Sequence, residues 1–104
     1  MVIFFFLKKR FFDNTDYKSM LDNGGIIIDV RSSGEFFGGH IEKSLNIPLG
    51  DLPSKLDQFK DKDQPIITCC ASGMRSASAK SVLKSAGYAE VHNGGGWMSS
   101  KGKI

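Results

Sequence analysis

Cys69 and Cys70 are the two cysteines of the chain, and they end an apolar run that begins at Ile66. Small and turn-forming residues separate Cys70 from Arg75. A cysteine between the end of a strand and the start of a helix lies close to unpaired backbone N–H groups and to the positive end of the helix dipole. Both effects favour a thiolate, and the Arg75 guanidinium adds a positive charge. The spacing therefore predicts a nucleophilic sulfur at Cys70, in a loop that can also bind an anion.

The elements on either side of this loop are a strand and a helix. Ile66–Cys69 is a short buried strand introduced by Pro65, and the loop Cys70–Met74 leads into a helix that begins near Arg75. Gly87 is typical of the position just past a helix end. The apolar face of this helix carries Ala79, Val82, Leu83 and Ala86. The pattern predicts that the cysteine loop lies at the carboxyl end of a strand.

Similar elements precede the loop. A short helix is predicted from Asp13, which can cap it, to Asn23–Gly25, which end it. Its common face carries Tyr17, Met20 and Leu21. Ile26–Val30 follows as a strand whose consecutive apolar residues indicate burial on both faces. Ser32–His40 is predicted to be a loop with one helical turn.

Three further elements complete the pattern. Leu45–Ile47 is a short strand ended by Pro48, and Glu90–His92 is a last strand. A helix with Pro53 in its first turn is predicted from the spacing of Leu49, Leu52, Leu56 and Phe59. Gly94–Gly96 indicates a tight turn or a close approach of the backbone. This alternation predicts an α/β fold with a small parallel sheet and helices on both faces, in which ligands bind beyond the carboxyl ends of the strands.

The cysteine loop resembles that of the rhodanese family, in which a cysteine opens a six-residue loop with Ser-Gly near its middle and Arg-Ser at its end. Here Cys70–Ser76 reads CASGMRS. Other motifs of that family occur in the expected order on both sides of the loop. They are Asp29-Val30-Arg31, Glu35-Phe36, Gly39-His40-Ile41, Asn46-Ile47-Pro48, Gly87-Tyr88, Val91 and Gly94-Gly95. Several motifs in a fixed order are more specific than any one of them.

The resemblance implies a rhodanese-like fold and a sulfurtransferase whose Cys70 thiolate takes the outer sulfur of a donor and holds it as a persulfide. The donor would be thiosulfate or a persulfide, and the acceptor a thiol, another nucleophile or a protein. By analogy, Arg75 closes the loop and favours anionic sulfur. The other loop residues are expected to bind substrate: Ala71, Ser72, Gly73, Met74 and Ser76, of which the middle three supply amides to the sulfur. The resemblance implies no cofactor and no metal.

Asp29, Arg31 and Glu35 are expected to support the site. The resemblance favours a structural ion pair for Asp29 and Arg31 over direct participation in chemistry. The resemblance also implies an architectural role for Glu35 and His40, and a lone histidine does not indicate a metal site.

Two positions depart from the family pattern. Met74 stands where members that use thiosulfate often carry a polar or basic residue that can assist an anionic donor. This departure argues against thiosulfate as the physiological donor. Trp97 follows the glycine run at once, so the last helix is expected to be short or missing.

Two other functions are compatible with the sequence. Five residues separate Cys69 from Arg75-Ser76, and this spacing matches the active-site loop of protein tyrosine phosphatases and low-molecular-weight arsenate reductases. A loop of that length suits a tetrahedral oxyanion. Thr68 stands where those phosphatases carry histidine, and Ser72 where they carry glycine, so Cys70 is favoured. Cys69 is then a small buried apolar residue, or a helper thiol for oxidised Cys70. The third function is a non-catalytic rhodanese-like binding module.

The composition of the 104-residue chain indicates one domain, which we assign to residues 13–104. The net charge of +3 is dispersed, so no nucleic-acid partner is predicted. Adjacent cysteines do not form an ordinary loop-closing disulfide, which favours a reducing, cytoplasmic location.

Residues 1–12 are an apolar and basic segment, shorter than the roughly 20 residues of a spanning helix. An edge strand or a docked terminus is expected there, rather than a contact with a membrane surface.

Overall fold

Four short parallel strands form the centre of the molecule in the computed structural model, which describes residues 16–104. The strands are β1 (Ile26–Asp29), β2 (Leu45–Asn46), β3 (Ile66–Cys70) and β4 (Val91–Gly96). They lie in the order β2-β1-β3-β4, and each neighbouring pair is parallel. The carboxyl ends of these strands therefore share one edge of the sheet, and the cysteine loop begins at that edge, as predicted.

Helices cover both faces of this sheet, which confirms the predicted α/β fold. Their bounds are α1 (Tyr17–Asp22), α2 (Ser33–Phe37), α3 (Leu52–Lys55), α4 (Met74–Ser85) and α5 (Trp97–Lys101), with 3-10 turns at Leu49–Asp51 and Leu56–Gln58. The last helix, α5, has only 5 residues, in agreement with the expectation that it is short.

Each face of the sheet has its own hydrophobic core. Strand residues and the inner sides of α3 and α4 form the first core, which includes Ile28, Leu52, Ile66, Cys70, Ala79 and Leu83. The second core lies against α1 and α5, and includes Tyr17, Met20, Ile27, Ile67 and Cys69, with Trp97 packed against it. Neighbouring strand residues alternate between the two cores because side chains along a strand point to opposite faces.

The first helix has a different cap from the predicted one. Asp16 precedes α1, and its Oδ1 accepts a hydrogen bond from the Ser19 N–H across 3.1 Å. Asp16 therefore satisfies one of the amides that have no partner within the helix. Asp13, the predicted cap, lies outside the described residues. Tyr17 and Met20 are buried as predicted, whereas Leu21 is only partly buried.

The predicted helix through Leu49 and Phe59 is broken into three short pieces. Its central piece is α3, which carries Pro53 in its first turn and a fully buried Leu52. Proline has no N–H to donate to the carbonyl four residues before it, so Pro53 is tolerated in the first turn of α3 but does not allow a regular helix to begin at Leu49. The apolar spacing still places Leu52 in the first core.

Candidate active site

Cys70 is the last residue of β3, one residue beyond the predicted end of that strand. The chain then turns through Gly73, whose φ is 111°, and α4 begins at Met74, one residue earlier than predicted. Such a φ strains residues that have a Cβ, so glycine allows this tight entry into the helix. The Cys70 side chain consequently lies at the amino terminus of a 12-residue helix, where the helix dipole favours negative charge.

Backbone amides of the loop converge on the Cys70 sulfur. The Gly73 N–H donates to Sγ across 2.9 Å and the Ser76 N–H across 3.4 Å, while the Ser76 hydroxyl oxygen is 3.5 Å from Sγ. Burial of Cys70 acts to raise the pKa of its thiol. Hydrogen bonds from the Ser76 hydroxyl and from the amides of Ser76, Gly73 and Ser72 outweigh burial, so the pKa of Cys70 is lowered. The loop is therefore built to stabilise an anionic sulfur.

The set of amides differs from the predicted one at a single position. Ser72 and Gly73 contribute as predicted, and the Ser76 amide acts where the Met74 amide was expected. Met74 is already the first residue of α4, and its side chain is 81% exposed. Ala71 and Ser72 are exposed as well. The inner surface of the loop is thus largely backbone, and these three side chains face solvent.

Cys69 lies on the other face of the sheet from Cys70. It is completely buried in the second core, whereas Cys70 belongs to the first. Burial, with a further contribution from the charge of Asp29, raises the pKa of Cys69 to about 12. Both cysteines are free thiols. Cys69 is buried among apolar residues as predicted, and its position favours this structural role over that of a helper thiol or a rival nucleophile.

Arg75 pairs with Glu35 rather than with the sulfur. The guanidinium donates from Nη1 to Oε1 across 2.7 Å and from Nη2 to Oε2 across 3.0 Å. These bonds, followed by those from Ser32, lower the pKa of Glu35 to about 2. Ser32 and Glu35 also form the capping box of α2. The pair therefore joins α2 to the start of α4, and a carboxylate neutralises the cation that was expected to face the sulfur.

Asp29 and Arg31 form a buried ion pair at the end of β1. Arg31 Nη2 donates to Asp29 Oδ2 across 2.7 Å, and Nε donates to both carboxylate oxygens. The same guanidinium donates to the Gly39 carbonyl across 2.7 Å and lies 4.8 Å from the centre of the Trp97 ring. Arg31 thereby ties β1 to α5 and to the segment after α2, which agrees with a structural ion pair.

Asn93 of β4 belongs to the site although no sequence motif pointed to it. Its Oδ1 lies 2.5 Å from the Ser76 hydroxyl oxygen and accepts a hydrogen bond from the Gly95 N–H across 2.9 Å. Its Nδ2 donates to the Gly73 carbonyl across 3.3 Å. The only available signal was a polar residue directly after the predicted strand Glu90–His92. That signal can be interpreted only once Asn93 is known to pair with Thr68 in the neighbouring strand.

Glycines of β4 let the backbone of the sheet approach the loop. A Cβ at Gly96 would lie 2.9 Å from the Ala71 carbonyl oxygen, and a Cβ at Gly73 would lie 3.4 Å from the Gly95 Cα. The predicted close approach of Gly94–Gly96 is confirmed, and these residues continue β4 beyond its predicted end at His92. The cysteine loop therefore packs directly against the backbone of β4.

The remaining predicted features show no chemistry of their own. His40 stacks on Phe36 with ring centres 3.7 Å apart, and its Nδ1 lies 2.8 Å from the Phe36 carbonyl oxygen. Among residues 16–104, no group of three or more His, Cys, Asp or Glu side chains could hold a metal ion. No helix in that part of the chain is long and apolar enough to cross a membrane. The segment 1–12 lies outside the described residues.

Comparison with known proteins gives matches that span the site. A family model described as rhodanese-like domain matches residues 13–101. YqhL of Bacillus subtilis is 38% identical over 79 residues, which cover 75% of this chain and 62% of that protein. Thiosulfate sulfurtransferase GlpE of Stutzerimonas stutzeri is 33% identical over 75 residues, which cover 72% of this chain and 68% of that protein. The chain thus spans less than two thirds of the length of YqhL.

A solved structure agrees with these matches. A structure described as a rhodanese with anions from E. coli has a TM-score of 0.68 and 30% sequence identity, covering 72% of this chain and 89% of that chain. The range matched by the family model contains the cysteine loop and every residue placed at the site above.

Proposed function

The chain belongs to the rhodanese-like domain family, and from this premise we propose that it is a sulfurtransferase that carries sulfane sulfur as a persulfide on Cys70. The observation that carries the proposal is the set of loop amides directed at the Cys70 sulfur. Amides in this arrangement stabilise an anionic sulfur. A thiolate held in this way is the reactive form of cysteine.

The loading step has a simple electron balance. The Cys70 thiolate attacks the outer sulfur of the donor, and a new S–S bond forms. The donor's own bond to that sulfur breaks, and its electron pair leaves with sulfite from thiosulfate, or with a thiolate from an alkyl persulfide. The outer sulfur then carries the negative charge. The hydrogen bonds that the Gly73 and Ser76 amides donate to the adjacent Sγ support stabilisation of that charge by N–H groups of the loop.

The unloading step reverses the roles. A thiolate or another nucleophilic acceptor attacks the outer sulfur, and the S–S bond to Cys70 breaks. The electron pair returns to Sγ, and the loop amides stabilise the thiolate that forms. Cys70 is only 1% exposed, so the outer sulfur is the atom that an acceptor can reach.

The charge at the loop supports a persulfide as the better donor. Arg75 is the one cationic residue between Cys70 and Ser76. Its guanidinium is occupied by Glu35, and Met74 adds no charge at the mouth. Thiosulfate carries two negative charges and gains little from a neutralised cation. A persulfide on a thiol or on a protein carries less charge, and we infer that this class of donor reacts faster.

The test uses intact mass after incubation with each donor. The reduced protein, Cys70→Ser and Cys69→Ala are each treated with thiosulfate or with an alkyl persulfide, and then with a thiol acceptor. We expect a gain of one sulfur in the parent and in Cys69→Ala, none in Cys70→Ser, and loss of that sulfur to the acceptor. Alanine is chosen at position 69 because that side chain is buried among apolar residues.

The same experiment separates the alternatives. Absence of any sulfur gain with both donors contradicts the persulfide proposal. Phosphatase and arsenate assays that depend on Cys69 would then follow, with a non-catalytic binding module as the remaining alternative. A sulfur gain that depends on Cys69 would contradict the assignment of Cys70 as the sulfur carrier.

A further inference from the structure

Three acceptors surround the single hydroxyl proton of Ser76. The hydroxyl oxygen lies 2.5 Å from Asn93 Oδ1, 3.1 Å from the Gly73 carbonyl oxygen and 3.5 Å from the Cys70 sulfur. A serine hydroxyl donates one hydrogen bond and accepts up to two. Its proton therefore serves one of these partners at a time, and Ser76 is fully buried, so water does not take the place of the others.

The orientation of the Asn93 amide is fixed by its other partners. The Gly95 N–H can only donate, so the amide atom 2.9 Å from it must be the oxygen. The Gly73 carbonyl can only accept, so the amide atom 3.3 Å from it must be the nitrogen. Asn93 consequently presents an acceptor to Ser76.

Two oxygens at 2.5 Å require a proton between them, and only Ser76 can provide it. The lone pairs of Ser76 Oγ then face Cys70, where they can accept a hydrogen bond from the S–H group of a thiol. They cannot stabilise a thiolate. For the hydroxyl to donate to the thiolate, its proton must leave Asn93.

We propose that Asn93 is a positioning residue that competes with the Cys70 sulfur for the hydroxyl proton of Ser76. This inference rests on the proposed function in taking Cys70 as the reacting thiol. While Cys70 is a thiol, the proton lies toward Asn93, and it turns to the sulfur when the thiolate forms. In the persulfide the charge moves to the outer sulfur, so Sγ is a poor acceptor and the proton returns to Asn93. Asn93 thus gives Ser76 a partner in each state in which Sγ carries no charge.

The position of Asn93 makes the competition measurable. Its side chain is exposed whereas Ser76 is buried, so truncation of Asn93 leaves no internal cavity. The experiment measures the pKa of Cys70 from thiolate ultraviolet absorbance and from the pH dependence of alkylation, in a Cys69→Ala background. The variants are Asn93→Ala, Asn93→Asp, Ser76→Ala and the double variants that combine Ser76→Ala with each change at Asn93.

Opposite shifts are expected from the two single changes at Asn93. Asn93→Ala frees the hydroxyl proton, although the Gly73 carbonyl still competes, so the pKa of Cys70 falls by roughly half a unit. Asn93→Asp binds the proton more strongly and adds a negative charge, so that pKa rises by about one unit. In the Ser76→Ala background, Asn93→Ala is expected to cause no shift, because the effect passes through the hydroxyl.

A merely structural role would give a different result. If Asn93→Ala shifts the pKa of Cys70 equally with and without the Ser76 hydroxyl, or raises it, the proposal is wrong. If the alanine variant unfolds, Asn93→Asp, which keeps the shape of the side chain, decides when it is measured with and without the Ser76 hydroxyl. Its added charge alone would raise the pKa of Cys70 equally in both backgrounds, whereas the competition requires a larger rise when the hydroxyl is present. Neither readout uses a sulfur donor, so the result stands whether or not a persulfide forms on Cys70.

Discussion

Cys69 and Cys70 are neighbours in β3, yet their side chains lie in different hydrophobic cores. The pleat of the strand turns one thiol toward α4 and the other toward α1 and α5. The loop amides reach Cys70 alone, and the pKa values of the two thiols move in opposite directions. A shift of the chain by one residue would exchange these environments, which explains why the two interpretations of the motif cannot both hold.

The first prediction concerns alkylation by iodoacetamide. Cys70 should react with a rate that rises with pH and reaches half its maximum below the ordinary thiol pKa of 9.0, because the loop lowers the pKa of Cys70. Cys69, which has a pKa of about 12 and lies in the second core away from the loop amides, should remain unmodified in the folded protein. Peptide mapping after alkylation measures both. Equal labelling of the two cysteines would contradict the opposite placement of their side chains.

The second prediction concerns Glu35→Gln and acid stability. The pKa of Glu35 falls from 4.5 to about 2 on folding. The ionised carboxylate therefore stabilises the folded protein fully above pH 4.5, and this stabilisation is lost as the pH falls toward about 2. The parent should therefore be more stable than Glu35→Gln at neutral pH, and the difference should shrink over that acid range. Glutamine preserves the capping box, so α2 is retained. Urea denaturation at several pH values measures the difference in free energy of unfolding between the two proteins. A difference that stays constant across the acid range would contradict the prediction.

The third prediction uses the same variant on the donor. Without the Glu35 carboxylate, the Arg75 charge is no longer neutralised, and it lies at the start of α4 beside the loop. We expect the KM for thiosulfate to fall by only about threefold, because solvent screens charges at exposed sites, with little change for an alkyl persulfide. Steady-state kinetics with both donors checks this. An equal change for the two donors would indicate a general effect on the loop.

The fourth prediction concerns the buried ion pair at the end of β1. Asp29→Ala leaves the buried guanidinium of Arg31 without its carboxylate, which should cost about 3–5 kcal/mol in the free energy of unfolding. Asp22→Ala removes the carboxylate of an exposed pair with Lys18 and should cost less than about 0.5 kcal/mol. Urea denaturation of the two variants provides the comparison. Similar losses would show that burial does not distinguish these pairs.

The fifth prediction concerns the glycines. A Cβ at Gly94 would lie 2.5 Å from Ser100 Oγ and 2.9 Å from Ile67 Cγ2, so Gly94→Ala should destabilise the fold by about 2 kcal/mol. A Cβ at Gly50 would meet nothing within 4 Å, and Gly50→Ala should be nearly neutral. Thermal unfolding of the two alanine variants checks the contrast. A stable Gly94→Ala protein would mean that β4 does not lie as close to β3 and α5 as described.

The sequence was informative wherever a short pattern determines a local structure. The run Ile66–Cys69 and the turn of small residues before α4 indicate the strand, the loop and the candidate nucleophile, because each depends on neighbouring residues. The apolar spacing from Leu49 was less reliable, since Pro53 interrupts hydrogen bonding without removing Leu52 from the core.

Contacts between distant residues could not be predicted in this way. Arg75 and Glu35 are separated by 40 positions, and nothing local indicates that they pair. The place of Asn93 depends on the register between β3 and β4, which includes a shift between Thr68 and Cys70. Sequence patterns contain no direct record of either relationship, so the balance of charge and protons at the site became visible only in the structure.

The side chains of the loop point outward, so the surface that a partner would contact is separate from the groups that stabilise the sulfur. Ala71, Ser72 and Met74 are exposed, whereas backbone N–H groups of the loop surround the sulfur. Substitution of those three side chains would change the surface available to a protein or small-molecule partner, whereas the hydrogen bonds to the sulfur would be retained. Partner choice in this molecule is therefore open to change by single substitutions, independently of how its cysteine reacts.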